Sequence, residues 1–223
     1  CKDIAQQLLD TPHGDGPEVI LGGGRAHFLP DSVADPEYAE KTGKRDDGAN
    51  LIDQWLAGAS GREYVWNRKD FLALMEKRAA DADTAGQFMG LFEPSHMQFE
   101  ADRANDPAGE PSLLEMTQFA LAEMQKSDRG YFLLIEAGRI DHAHHGSNAH
   151  RALVDTVALS DAVQWVADHV NLEDTLILVT ADHSHTMTIS GYPRRGNPIL
   201  GLVENEPGKL AKDATGLPYT TLS

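Results

Sequence analysis

Hydrophobic residues fall in two patterns along this chain. Around Leu51, Trp55 and Leu56, and again at Leu153, Val157, Val163 and Val166, they return to one side at near-helical spacing, the mark of a helix with one apolar face. Over 131–135 and 175–180 they run on with almost no polar interruption, as in short strands buried on both sides. These patterns predict helices over 2–9, 50–57, 71–80, 112–125 and 149–170. They predict strands or extended chain over 18–21, 64–66, 86–92, 131–135 and 175–180. Ser112 with Glu115 three residues later has the spacing of a capping box.

Strand, long helix and strand between 131 and 180 imply a right-handed crossover joining parallel neighbours. The expected fold is therefore α/β, a mostly parallel central sheet flanked by helices. The valine-bearing face of 149–170 should lie on that sheet, and Trp165 reads as core packing. Gly22-Gly23-Gly24 follows a strand but lacks the later Gly-Lys-Ser/Thr of a nucleotide loop, so it reads as a turn. Past Gly191, glycine and proline recur too often for a long periodic element, and a loop-rich tail with short strands is expected.

The chemistry sits where the two apolar runs end. One leads into Glu136-Ala137-Gly138-Arg139-Ile140-Asp141-His142-Ala143-His144-His145, the other into Ala181-Asp182-His183-Ser184-His185. Ligands of open α/β sheets gather at the carboxyl ends of strands, so position and residue type agree on a divided metal site. If the chain is helical after Arg139, Asp141 and His145 share one face and can reach one ion. Carboxylate plus imidazole suits zinc, whereas Glu136 alone suits magnesium. Asp182 and His183 can share an ion only if the chain bends between them. His142, His144 and His185 are left as outer hydrogen-bond partners or surface residues.

Composition narrows the partners. Nineteen basic against thirty-five acidic residues give a formal net charge of -16, which argues against non-specific nucleic-acid binding. A small anionic substrate is still compatible, because bound metal ions reverse the local sign. A chain of 223 residues with 41% apolar content can bury a sizeable core. Cys1 is its one cysteine, so neither an internal disulfide nor a zinc–thiolate site can form.

At the acid and histidine clusters the sequence resembles the alkaline phosphatases, most nearly the animal enzymes. The likeness extends to Val19-Ile20-Leu21-Gly22-Gly23-Gly24-Arg25, Asp35-Pro36-Glu37-Tyr38, Tyr64-Val65-Trp66-Asn67-Arg68, Met89-Gly90-Leu91-Phe92-Glu93-Pro94 and Gly191-Tyr192-Pro193-Arg194-Arg195-Gly196. The resemblance implies Asp141 and His145 as ligands of a first zinc, Asp182 and His183 as ligands of a second, and Glu136 as the magnesium carboxylate. It also implies a calcium site from Glu37, Glu93, Glu110 and the main-chain oxygen of Phe92, a hard-oxygen set that suits calcium. Ala137 and Ala143 stand where many relatives have glycine, and Glu110 where aspartate is common. Arg194 and Arg195 have no role in this pattern.

Carried further, the resemblance implies hydrolysis of phosphate monoesters through a phosphoserine, by a homodimer at the cell surface with a lipid (GPI) anchor. It implies that the nucleophilic serine lies before Cys1 and a further histidine ligand after Ser223, so the chain is expected to be an internal fragment, inactive alone. Ser147, Ser184 and Ser190 lack the strand-to-helix setting of an activated hydroxyl, and no residue of the chain is assigned as catalytic. Cys1 would pair with an earlier cysteine. Residues 1–190 would belong to the catalytic domain, and 191–223 would open an inserted interface subdomain. Phosphodiesterases, sulfatases and phosphomutases with similar strand-end clusters, or a non-catalytic metal-binding fragment, are the alternatives. A serine nucleophile in the parent, rather than threonine or cysteine, would favour the phosphatase.

Overall fold

In the computed structural model, residues 3–11, 14–81, 86–190 and 192–222 are described. Cys1, and with it the expected disulfide, lies outside them. The described chain forms two compact units, one running to Gln98 and from Asp102 to Ile135, the other made of Phe99–Ala101 and the chain from Glu136 onward.

The first unit is built on three parallel strands, β1 (Val19–Gly22), β2 (Arg62–Val65) and β3 (Gln87–Leu91), with β3 in the centre. Ile20 pairs with Met89, and Tyr64 with the same Met89 from the other side. Because successive side chains of a strand face opposite ways, β3 feeds two cores. Met89 and Leu91 pack with Phe28, Leu29, Leu51, Ile52 and Trp55. Phe88, and Phe92 just beyond the strand, pack with Val65, Phe71, Leu74 and Phe119. A parallel sheet covered on both faces is the expected architecture, and this part of it is observed.

The covering helices begin where their caps stand. The helices α1 (Ile4–Leu9), α2 (Leu51–Gly58) and α3 (Arg68–Ala79) are capped by the side chains of Asp3, Asn50 and Asn67, each accepting from backbone N–H groups of the first turn. Ahead of α4 (Leu113–Met124), Ser112 and Glu115 complete the capping box read from the sequence. The Phe71 ring stands edge-on to Phe92 and Phe119, at 5.4 Å between centroids in each case.

The glycine triplet is a turn, as expected. Gly24 has φ +84°, and a Cβ on Gly23 would fall 2.2 Å from the Ser95 carbonyl oxygen. The amides that could cradle a phosphate are already spent: Gly24, Arg25 and Ala26 donate to the carbonyls of Ser95, Glu93 and Pro94.

In the second unit, α5 (Arg139–His145) and α6 (Ala149–His169) form a helical hairpin turned at Gly146–Asn148. The tail carries a short antiparallel pair, β4 (Glu204–Glu206) and β5 (Lys209–Leu210). Arg194 is paired with Glu204, Nε to Oε2 at 2.9 Å. No helix of the described residues is long and apolar enough to cross a membrane.

Three expectations are corrected. Residues 131–135 and 175–180 form no ladder, and Phe132, Leu134, Leu176 and Leu178 are all at least 78% exposed. A strand exists only when a neighbour takes its N–H and C=O groups, and no described backbone pairs with either run, so the parallel crossover is not formed. Without that sheet, Leu153 and Val157 of α6 are exposed, and the helix instead buries Ala152, Asp155 and Ala162. Trp165 is not core packing but stacks on His169 one turn later, at 3.9 Å between centroids.

Candidate metal centres

Two groups of ligating side chains converge, one in each unit. The first is carried by α5 and the segment after Thr180. Helical spacing brings Asp141 and His145 to the same face, as expected, with His145 Nε2 3.5 Å from Asp141 Oδ2. His185 joins them, its Nε2 3.2 Å from Asp141 Oδ1, and the three offer ligand atoms within 4.8 Å of one another.

His183 reaches the same carboxylate oxygen at 3.5 Å, while Asp182 is 86% exposed at its side chain and sits 3.5 Å from His183. The chain bends at Asp182 and His183, and His183 and His185 both come to Asp141 Oδ1 while Asp182 stays exposed. No regular spacing in the sequence marks His185 for this place. The His183 proton is held more tightly than usual, by the Ser184 carbonyl first and then by Asp182. Glu136 is exposed and stands outside the group.

Asp141 Oδ1 is buried, yet no donor meets it in hydrogen-bonding geometry. A cation among these side chains would satisfy this oxygen together with those imidazole nitrogens that carry no proton. The oxygen and nitrogen set fits zinc. Around it, His185 stacks on His144 at 5.1 Å and meets His145 edge-on at 4.8 Å, and Arg139 Nη1 lies 3.0 Å from His142 Nδ1. His144 thus lies against His185, and His142 against Arg139.

The second group lies beyond β3 in the first unit. Glu37, Glu93 and Asp106 bring carboxylate oxygens within 4.8 Å of one another. Glu110 is buried nearby, 1% exposed, with Oε1 accepting from the Gln98 N–H at 2.9 Å and Oε2 without a partner. Both Asp106 oxygens are likewise buried and unpartnered. Asp106 is the residue that the sequence reading missed, four positions before Glu110 on a loop whose Gly109 has φ +75°. Phe92 precedes Glu93 directly, and its N–H donates to Gly22 O at 2.8 Å.

Burial, with like charge close by, raises three of these carboxyl groups. Burial, and then the Asp106 and Glu93 carboxylates, push Glu110 up to about 8. Burial, and then adjoining Glu93, push Asp106 up to about 6. Glu37 is also raised, mainly by burial, although Arg25 works against it. An oxygen-only set of this kind suits a hard divalent cation.

A sequence model of alkaline phosphatase matches residues 1–220. The chain belongs to the alkaline phosphatase family. It is 42% identical over 228 residues to the tissue-nonspecific alkaline phosphatase of Gallus gallus, a match covering all of this chain and 41% of that protein. Against the membrane-bound alkaline phosphatase of Bombyx mori it is 38% identical over 227 residues, covering all of this chain and 38% of that protein. The crystal structure of Thermus thermophilus alkaline phosphatase superposes with a TM-score of 0.58 at 31% identity, covering 75% of this chain and 30% of that one. The chain thus spans about two-fifths of the length of these curated alkaline phosphatases. Alkaline phosphatases are metal-dependent, and both side-chain groups are of a kind that holds metal ions.

Proposed function

We propose that this chain carries part of the metal clamp of a phosphomonoesterase that uses two zinc ions and one magnesium ion and passes through a phosphoserine. The observation that carries the reading is the convergence of Asp141, His145 and His185 around a buried carboxylate oxygen that no donor satisfies. Membership of the alkaline phosphatase family supports it.

In this reading Asp141 and His145 hold the first zinc, with His185 beside them, 3.2 Å from Asp141. Asp182 and His183 hold the second, and Glu136 serves magnesium. Paired zinc ions supply charge stabilisation for the entering and leaving oxygens of an in-line phosphoryl displacement. The chain's own residues fix those ions: α5 sets the spacing of two ligands, and the backbone after Thr180 presents the others. The nucleophile belongs to sequence outside this chain. Residues 191–223 begin an inserted subdomain that contributes to a homodimer, and the protein works at the cell surface, in keeping with its similarity to a relative named as membrane-bound.

The oxygen-rich group around Glu37, Glu93 and Glu110, with the Phe92 carbonyl, binds calcium. Its support is Glu110, a carboxylate fully buried with one oxygen unspent. The test is hydrolysis of p-nitrophenyl phosphate by the full-length protein, lost on chelation and restored by zinc with magnesium. Activity that survives complete removal of metal would refute the reading.

A further inference from the structure

The oxygen-rich group is assembled from segments far apart in sequence, and one buried side chain ties two of them together. Arg25 is 0% exposed. Its Nε and Nη2 donate to Asp35 Oδ2 and Oδ1, both at 2.8 Å. Nη2 also donates to Glu37 Oε2 at 3.0 Å, and Nη1 to the Leu91 carbonyl at 2.8 Å. The Arg25 main-chain N–H donates to the Glu93 carbonyl at 2.9 Å. A single residue thus grips Glu37 on one side and the Leu91–Glu93 stretch on the other.

Asp35 completes the device. Besides receiving the guanidinium fork, its Oδ1 accepts the N–H groups of Glu37 and Tyr38 at 3.0 and 3.1 Å, closing the turn that presents Glu37. Tyr38 in turn donates to Glu93 Oε1 at 3.3 Å. A fork of this shape holds a carboxylate and a carbonyl in fixed relation, which a lysine cannot do.

We propose that Arg25, clamped by Asp35, is the positioning residue of the cation site formed by Glu37, Phe92 and Glu93. The proposal rests on the cation reading of that site. Charge and position make opposite demands here. A cation beside an arginine is repelled, so if Arg25 acted only through its charge, removing it would tighten calcium binding. If it positions the ligands, removing it weakens binding by about tenfold to a hundredfold, the usual cost of losing an outer partner of a metal ligand.

The test is a terbium titration of the full-length protein, followed by sensitised emission, with calcium as competitor. Arg25→Gln, Arg25→Lys and Asp35→Glu are compared with the parent, the last two conserving every charge. All three should bind calcium about tenfold to a hundredfold more weakly in protein that thermal melting shows to be folded. If the Arg25 variants do not fold, Asp35→Glu decides, because it leaves the arginine and every charge in place and shifts the fork together with the turn that presents Glu37. Unchanged or tighter calcium binding in the folded variants overturns the positioning role. Absence of terbium and calcium binding in the parent overturns the cation site itself, and the positioning role with it.

Discussion

His185 Nε2 stands 3.2 Å from Asp141 Oδ1, a buried oxygen that no donor satisfies. The contact links the two acid and histidine clusters and places His185 beside the carboxylate proposed to hold zinc. Replacing His185 with alanine should weaken zinc binding by about tenfold to a hundredfold, the range typical of outer partners. Competition with a chromophoric chelator measures it. Unchanged zinc affinity would return His185 to the surface role that its surplus in the sequence suggested.

The acidic group predicts a pH dependence for metal-free protein. Glu110 is raised to about 8 in the fold, above its ordinary value of about 4.3 in the unfolded chain. Its contribution is therefore fully present below the unfolded value and is lost as pH rises through about 8, because the fold must then bury a charge. Chelated protein should melt at progressively lower temperature between about pH 5 and pH 8. Calcium should flatten that decline, since it takes the place of the proton. A melting temperature that rises over this interval without metal would contradict the assignment.

The start of α4 offers a local test. The Ser112 hydroxyl accepts from the Glu115 N–H at 3.1 Å, and the Glu115 carboxylate accepts from the Ser112 N–H at 2.9 Å. Glu115 also pairs with Arg68. Ser112→Ala should cost about 1 kcal/mol in urea unfolding. No measurable loss would show that the Arg68 pair alone holds this helix start.

Phe71 lies under β3 at 0% exposure, with two aromatic neighbours. Phe71→Ala should cost about 3–5 kcal/mol, the usual effect of emptying a large buried site. Denaturant titration measures it, and a loss under about 1 kcal/mol would mean that the cavity collapses freely.

Local order in the first unit was legible because its signals are local. Ser112 caps the helix that its spacing to Glu115 predicts, and β3 alternates its buried side chains between two cores. Asn50 and Asn67 carry the same kind of local signal, and α3 begins three residues before the predicted 71 because Asn67 caps it. The runs ending at Ile135 and Thr180 were misread as formed strands. Their composition records a demand for burial on both faces, but pairing depends on backbone that composition cannot supply. Asp141 and His145 followed from helical spacing alone. His185 and Asp106 required the path of the chain, a bend at Asp182 and His183 and a turn at Gly109, which bring side chains together without any repeating pattern.

In the proposed function Asp141, His145, Asp182 and His183 hold zinc for phosphate-ester hydrolysis. The most direct measurement is zinc content, together with p-nitrophenyl phosphate turnover, in full-length Asp141→Ala and His183→Ala variants that remain folded. Both variants should lose bound zinc and most of their turnover. Full zinc content with parental turnover in either variant would contradict the claim.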